Sequence, residues 1–188
     1  MDIVREPGGI QQFTGNCILS GQHVQWREKR IKELTGVFKN EAALSGCGDK
    51  LAYKVANQNF NRQGCVHGNL QWGVTYLESF TVDGECGMTH GHFHVGEQCD
   101  EYYFGFKGTG FLLFWDGLDE FFAEKVFPGS VHYINGKFAH RIINPGEETL
   151  VVGASSLPAT KQDHISIEEK PFPYRLYKRD GKLEWVRE

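Results

Sequence analysis

No apolar run among the 188 residues approaches the roughly 20 that a helix needs to cross a bilayer, so no membrane association is expected. There is no block of Lys or Arg either, and the net charge of -4 offers nucleic acid no electrostatic foothold. The opening "MDIVREPGG" lacks the basic-then-apolar pattern of a secretory signal, which makes a cytoplasmic location the expectation. Cysteine is scarce and unpaired in pattern: Cys17, Cys47, Cys65, Cys86 and Cys99 form no C-x-x-C and are odd in number. They read as reduced thiols, not as a disulfide frame or a zinc knuckle. Long helical stretches are missing too, and there is no Ser/Gly linker, low-complexity tract or internal repeat.

What the chain has instead is 23 glycines and 14 phenylalanines, a composition suited to short strands joined by tight turns. Only "QWREKRIKELTG" reads as a helix, with Trp26, Arg30 and Leu34 four apart, Ile31 beside them and Gly36 as a stop. "LQWGVTYLESF" alternates as a strand, and "GFLLFWDGLDEFFAEKVFPG" reads as a hairpin turning near Asp116-Gly117. "SVHYI", "AHRIIN" and "TLVVGASS" are three more strands, and the tail is a hairpin around Asp180-Gly181. The pattern predicts an all-β sandwich or barrel in one domain. Residues 1–50 would be an extension, 51–157 the core and 158–188 a terminal hairpin segment.

The chemistry concentrates in "MTHGHFHVGEQCDEYYFGFKGTG", where His90, His92 and His94 stand at alternate positions. Side chains at i and i+2 leave a strand on one face, so two imidazoles can chelate one ion from a single strand. A carboxylate on a neighbouring strand and a ligand from farther along would complete the cage, with Glu97 and Glu101 both near in sequence. Imidazole with carboxylate suits Fe, Mn, Ni or Zn.

Six residues separate Glu101 from Gly108, and downstream "GSVHYINGKFAHRIIN" places His140 between Gly129 and Asn144. H-x-H, a carboxylate, a glycine and then G-x10-H-x3-N resemble the two motifs of the cupins, double-stranded β-helix (jelly-roll) barrels. The six-residue insert before Glu101, "EYY", "KGTG" and His140 39 residues after the glutamate are similar to one branch, the cupin-type phosphoglucose isomerases. "KRIKELTGVF" also resembles that family's opening, so the likeness spans Arg30 to about Val152.

The resemblance implies a fold with a short N-terminal helix and flanking strands around the barrel. It implies one divalent metal, Fe(II) foremost with Mn, Ni or Zn as options, held by His92, His94, Glu101 and His140. It implies a sugar phosphate as substrate, glucose 6-phosphate and fructose 6-phosphate being interconverted, and a homodimer. Phosphate contacts fall on Thr75, Thr89 and Gly91, with His164 as a later substrate-facing group. His90 occupies a place where relatives carry Lys or Arg and is an anion contact or rim group. Glu101 would be the catalytic base for a cis-enediol route, with Tyr103 on the same strand face assisting, unless the reaction runs by hydride shift. Ser156 departs from an expected phosphate-contacting tyrosine, and Lys137 and Lys161 are read as replacement charge. Glu97 reads as a solvated loop acid. A cupin dioxygenase and a non-catalytic sugar-binding cupin are the alternative readings.

Overall fold

The computed structural model describes residues 7–58, 70–95, 99–157 and 161–188; Cys65 and Glu97 lie outside them. The strands in chain order are β1 (Ile10–Gln11), β2 (Leu19–Ser20), β3 (Val24–Arg30), β4 (Leu51–Gln58), β5 (Gln71–Leu77) and β6 (Thr81–Val82). They continue as β7 (Glu85–Met88), β8 (Phe93–Val95), β9 (Glu101–Lys107), β10 (Gly110–Trp115), β11 (Phe121–Val126) and β12 (Val131–Ile134). The last are β13 (Ala139–Asn144), β14 (Leu150–Ser156), β15 (Lys161–Asp163), β16 (Tyr174–Arg179) and β17 (Lys182–Arg187). Two short helices, α1 (Glu41–Gly46) and α2 (Ile165–Glu169), complete the described chain. None is long or apolar enough to cross a membrane.

One antiparallel sheet runs β12-β9-β14-β5-β4-β3, and a second runs β11-β10-β13-β7-β16-β17 with β6 beside β7. Their facing sides meet in a core of Leu77, Leu150 and Val152 from the first and Leu112, Phe114 and Ile142 from the second. The predicted β10–β11 hairpin is present, and its alternation is used twice. Leu112 and Phe114 enter this inter-sheet core, while Leu113 and Trp115 join a second cluster on the opposite face. There the second sheet is covered by Ile31, Leu34, Phe38 and Leu44 from the N-terminal segment and by Ile167 and Phe172 near the C-terminus. Each such side chain contributes about 1.5–3 kcal/mol when removed from water. Asp180 and Gly181, with φ of 49° and 72°, form the expected tight hairpin turn.

The helix expected over "QWREKRIKELTG" is not formed. Residues 24–30 are strand β3, paired along β4 from Val24 opposite Gln58 to Arg30 opposite Leu51. A 3-10 turn at Ile31–Glu33 follows. Ile31 and Leu34 are buried, but Trp26 is 43% exposed on the outer sheet face, where Lys54 lies over its ring. The apparent four-residue spacing thus joined residues of two different elements, and the N-terminal helix is α1 instead. Strand β3 also carries the first sheet into the segment expected to be an extension.

Cys17, Cys47 and Cys86 are free thiols. At the edge of the first sheet, buried His132 lies between Glu124, 2.6 Å from Nδ1, and Ser130, 2.9 Å from Nε2. With Nδ1–H donating to the carboxylate, Nε2 accepts from the serine hydroxyl, whose oxygen accepts the Phe127 N–H. Although this is a Ser-His-acid chain, a Cβ at Gly105 would lie 2.7 Å from Ser130 Oγ, so the hydroxyl is roofed by backbone and pins a turn. Ser130→Ala is expected to leave the ring nitrogen and the Phe127 N–H unmatched, costing about 1–3 kcal/mol in a thermal or denaturant melt. An unchanged melt would remove the pin from that role.

Candidate active site

The barrel mouth is built from both sheets. His92 and His140 are backbone partners, with His92 N–H donating to the His140 carbonyl at 3.3 Å and the reverse bond at 3.1 Å. This cross-strand pairing sets their side chains on one face, and His94 shares it by alternation. The ring centroids are 4.5 Å apart for His92–His140 and 5.2 Å for the two pairs that include His94. One nitrogen from each ring lies within 4.8 Å of the others. Strand β9 brings Glu101 alongside, 3.3 Å from His94 Nε2 and 3.7 Å from His140 Nε2.

The hydrogen-bond accounting shows why this cluster fits a metal. His92 Nε2 and both nitrogens of His94 are buried without a hydrogen-bond partner, and His140 turns its Nε2 toward Glu101. Unmatched buried polar atoms are costly, and their convergence with a carboxylate is the donor set of a borderline divalent ion. Burial, followed by the neighbouring rings, holds the His92 imidazole well below its usual range. Burial likewise pushes His140 down to about 4, against the opposing pull of Glu101. Both rings are therefore neutral near pH 7, the form that ligates. Tyr103 has its hydroxyl 3.2 Å from His140 Nε2. Burial, reinforced by Glu101, raises its phenol well above the usual value and keeps it protonated.

The cavity in front of this cluster encloses about 540 Å³ and is lined by Glu101, Tyr103, Thr75, Thr89, His90, Gly91 and His164 together with His92 and His140. Thr89 Oγ1 accepts the Ile142 N–H at 3.1 Å, which leaves its own proton available for a ligand. His164 donates from Nδ1 to the Gly91 carbonyl at 2.6 Å, so in the neutral ring Nε2 is an acceptor. His90 lies 2.9 Å from the Glu168 carboxylate, and burial, then His164, lower its pKa to about 4. Its ring is engaged by an acid and is not a free cation in this cavity. Ser156 also lines the cavity and accepts from Gln71 at 3.0 Å. Lys137 instead pairs with Glu120 at 3.2 Å outside the cavity, so it supplies no replacement charge. The side chain of Lys161 lies outside the described residues.

Arg141 escaped the sequence reading. It is only 4% exposed, donates to the His90 carbonyl at 2.7 Å and lies over the Phe172 ring. Burial, then Arg175, lowers its pKa to about 9, which still leaves it charged near neutrality. A charge inside "AHRIIN", an otherwise apolar strand next to a proposed ligand, was the signal available. Gly91, at φ +79°, rests on this guanidinium, and a Cβ there would fall 2.8 Å from Arg141 Nε. Gly91→Ala is thus expected to cost about 1–3 kcal/mol in thermal stability, read as a lower melting temperature. Arg27, Lys29, Tyr53 and Gln162 are further lining residues that sequence reasoning missed.

Two curved antiparallel sheets with a three-histidine, one-glutamate cluster at their mouth define a cupin. The family model described as "Glucose-6-phosphate isomerase (GPI)" matches residues 28–188. A glucose-6-phosphate isomerase of Thermococcus kodakarensis is 30% identical over 161 residues, covering 84% of this chain and 83% of the relative. That of Thermococcus litoralis is 29% identical over 183 residues, covering 95% and 93%. A putative glucose-6-phosphate isomerase 2 of Rhizobium meliloti is 29% identical, covering 87% and 82%. The chain belongs to the glucose-6-phosphate isomerase family.

Proposed function

We propose that this chain is a metal-dependent aldose–ketose isomerase that interconverts glucose 6-phosphate and fructose 6-phosphate in the cytoplasm. The observation that carries the reading is one cavity lined both by His92, His140 and Glu101, with His94 clustered beside them, and by the hydroxyl and backbone donors at Thr75, Thr89 and Gly91. Those donors suit a phosphate, because hydroxyls and a side-chain-free backbone admit an anion closely. A divalent ion held by the three histidines and Glu101, Fe(II) in preference to Mn, Ni or Zn, would supply Lewis-acid stabilisation of charge on the sugar oxygens. A free thiol at Cys47 suits a reducing compartment.

Glu101 is assigned as the base that removes the proton from C2 of the open-chain aldose and returns it to C1 through a cis-enediol. Tyr103, held protonated beside it, would pass the hydroxyl proton from O2 to O1. His164 and His90 would orient the sugar between the two ends of the cavity. In D2O this route puts deuterium into the product, whereas a direct hydride shift does not. The function itself is tested by stripping the protein of metal and coupling fructose 6-phosphate turnover to glucose 6-phosphate dehydrogenase. Activity lost to chelator and restored by Fe, Mn or Ni is the expected result, and silence with every metal would sink the reading.

Association belongs to the same proposal. Tyr102, Tyr133 and Val131 expose 49%, 49% and 60% of their surface on the outer face of the first sheet. Such an apolar face favours a two-fold dimer, and a monomer at micromolar concentration by sedimentation would count against it.

A further inference from the structure

We propose that Arg27 and Lys29, on the inward face of edge strand β3, form a cationic wall that grips the phosphate of the sugar substrate. The inference rests on the sugar-phosphate reading above and adds charge to a subsite otherwise made of hydroxyls and backbone. Register places the two residues. Arg27 is opposite Val55 on β4, which is opposite Thr75 on β5, so the three form one row across the sheet. Lys29 is opposite Tyr53 in the next inward row, and both Arg27 and Lys29 line the cavity.

Charge along β3 is unevenly matched. Glu28, which also borders the cavity, is held by Arg30 at 2.5 Å. Among the described residues, inward-facing Arg27 and Lys29 have neither an ion pair nor a side-chain hydrogen bond. The nearby carboxylates are already committed: Glu168 lies against His90, and Glu33 accepts the Arg30 backbone N–H. Buried Arg141 adds further positive charge behind the Thr89–Gly91 turn.

Strand spacing then polarises the cavity. Thr75 on β5 lies two strands, about 10 Å, from Arg27 on β3 and the same distance from the metal-side strand β9. A molecule with a reacting carbonyl at one end and a dianion at the other matches that division. Charged residues on edge strands can equally serve to repel other chains, but that role is indifferent to the sign of the charge and predicts no phosphate affinity.

The test uses the metal-loaded full chain and the double variant Arg27→Gln/Lys29→Gln, with Lys54→Gln, which lies over Trp26 on the outer face, as a control. Calorimetric titration with inorganic phosphate is run beside kcat and KM for fructose 6-phosphate. The double variant is expected to weaken phosphate binding and raise KM in parallel, by roughly 10- to 100-fold, with kcat within about threefold and metal content unchanged. Lys54→Gln should change neither. Weakened phosphate binding in a protein whose wild type never turns over fructose 6-phosphate would keep the wall and remove the isomerase. Equal phosphate affinity in wild type and double variant, or no phosphate binding by wild type, overturns the wall whatever the turnover.

Discussion

His140→Ala is expected to strip the protein of tightly bound divalent metal and to lower fructose 6-phosphate turnover by roughly 10²–10³-fold or more. His140 is 1% exposed, and its backbone is fixed against His92 on one side and Phe114 on the other. No other imidazole of the described chain has a nitrogen placed to replace it in the cluster. His92, His94 and Glu101 would remain, but their converging donors would then face a gap. Metal content after reconstitution and dialysis, measured by elemental analysis, is the primary readout, with turnover second. A variant that retains a full equivalent of metal and near wild-type turnover would take His140 out of the ligand set. Glu101→Gln separates the roles further. As a base it should cost roughly 10²–10⁴-fold in kcat, a loss that metal supplementation fails to restore.

The second large effect concerns stability. Glu85 is 1% exposed and Arg175 7%, and they meet at 2.7 Å in the apolar layer behind the second sheet. Arg175 also donates to the Val37 carbonyl at 2.8 Å, while the other Glu85 oxygen accepts the Lys39 N–H at 2.9 Å. The pair therefore ties β7 and β16 to the N-terminal segment. Glu85→Leu would leave the Arg175 guanidinium with Glu188 alone, 2.9 Å from its Nε, and would also leave the Lys39 N–H unmatched. With Glu188 still holding part of the charge, the expected loss is about 1–3 kcal/mol, a fall in melting temperature of roughly 2–12 °C for a chain of this size. Glu85→Leu/Arg175→Leu should be less damaging than Glu85→Leu alone, because the penalty lies in the orphaned charge and not in the missing bond. Equal or additive losses would contradict that account.

Much of this site was legible because its chemistry is local. The alternation of His92 and His94 sets their shared face in any strand, and hairpin turns such as Asp180-Gly181 are written in two adjacent residues. Arg141 was harder to see, since its burial depends on Phe172 and Met88, which come from distant parts of the chain. Strand β3 was misread for a related reason. As an edge strand with Gln25, Trp26, Arg27 and Glu28 all exposed, it carries no apolar alternation. The inward placement of Arg27 and Lys29 follows from their register with Val55 and Tyr53 on β4, and a pairing partner elsewhere in the chain is not written in the strand itself. Lys137 illustrates the reverse limit: charge near a motif suggested a ligand contact, but Glu120 across the barrel rim claims it.

The backbone bond pair between His92 and His140 has one more consequence. Two of the proposed ligands are gathered by β-pairing itself, so the entropy of assembling them is lost during folding and not when an ion arrives. A chelated chain should then keep its fold, unlike a zinc finger, whose peptide collapses only around its ion. Such a preassembled site recruits whichever suitable cation the surroundings supply, and the identity of the resident ion becomes a property of the cell's metal pools as much as of the protein.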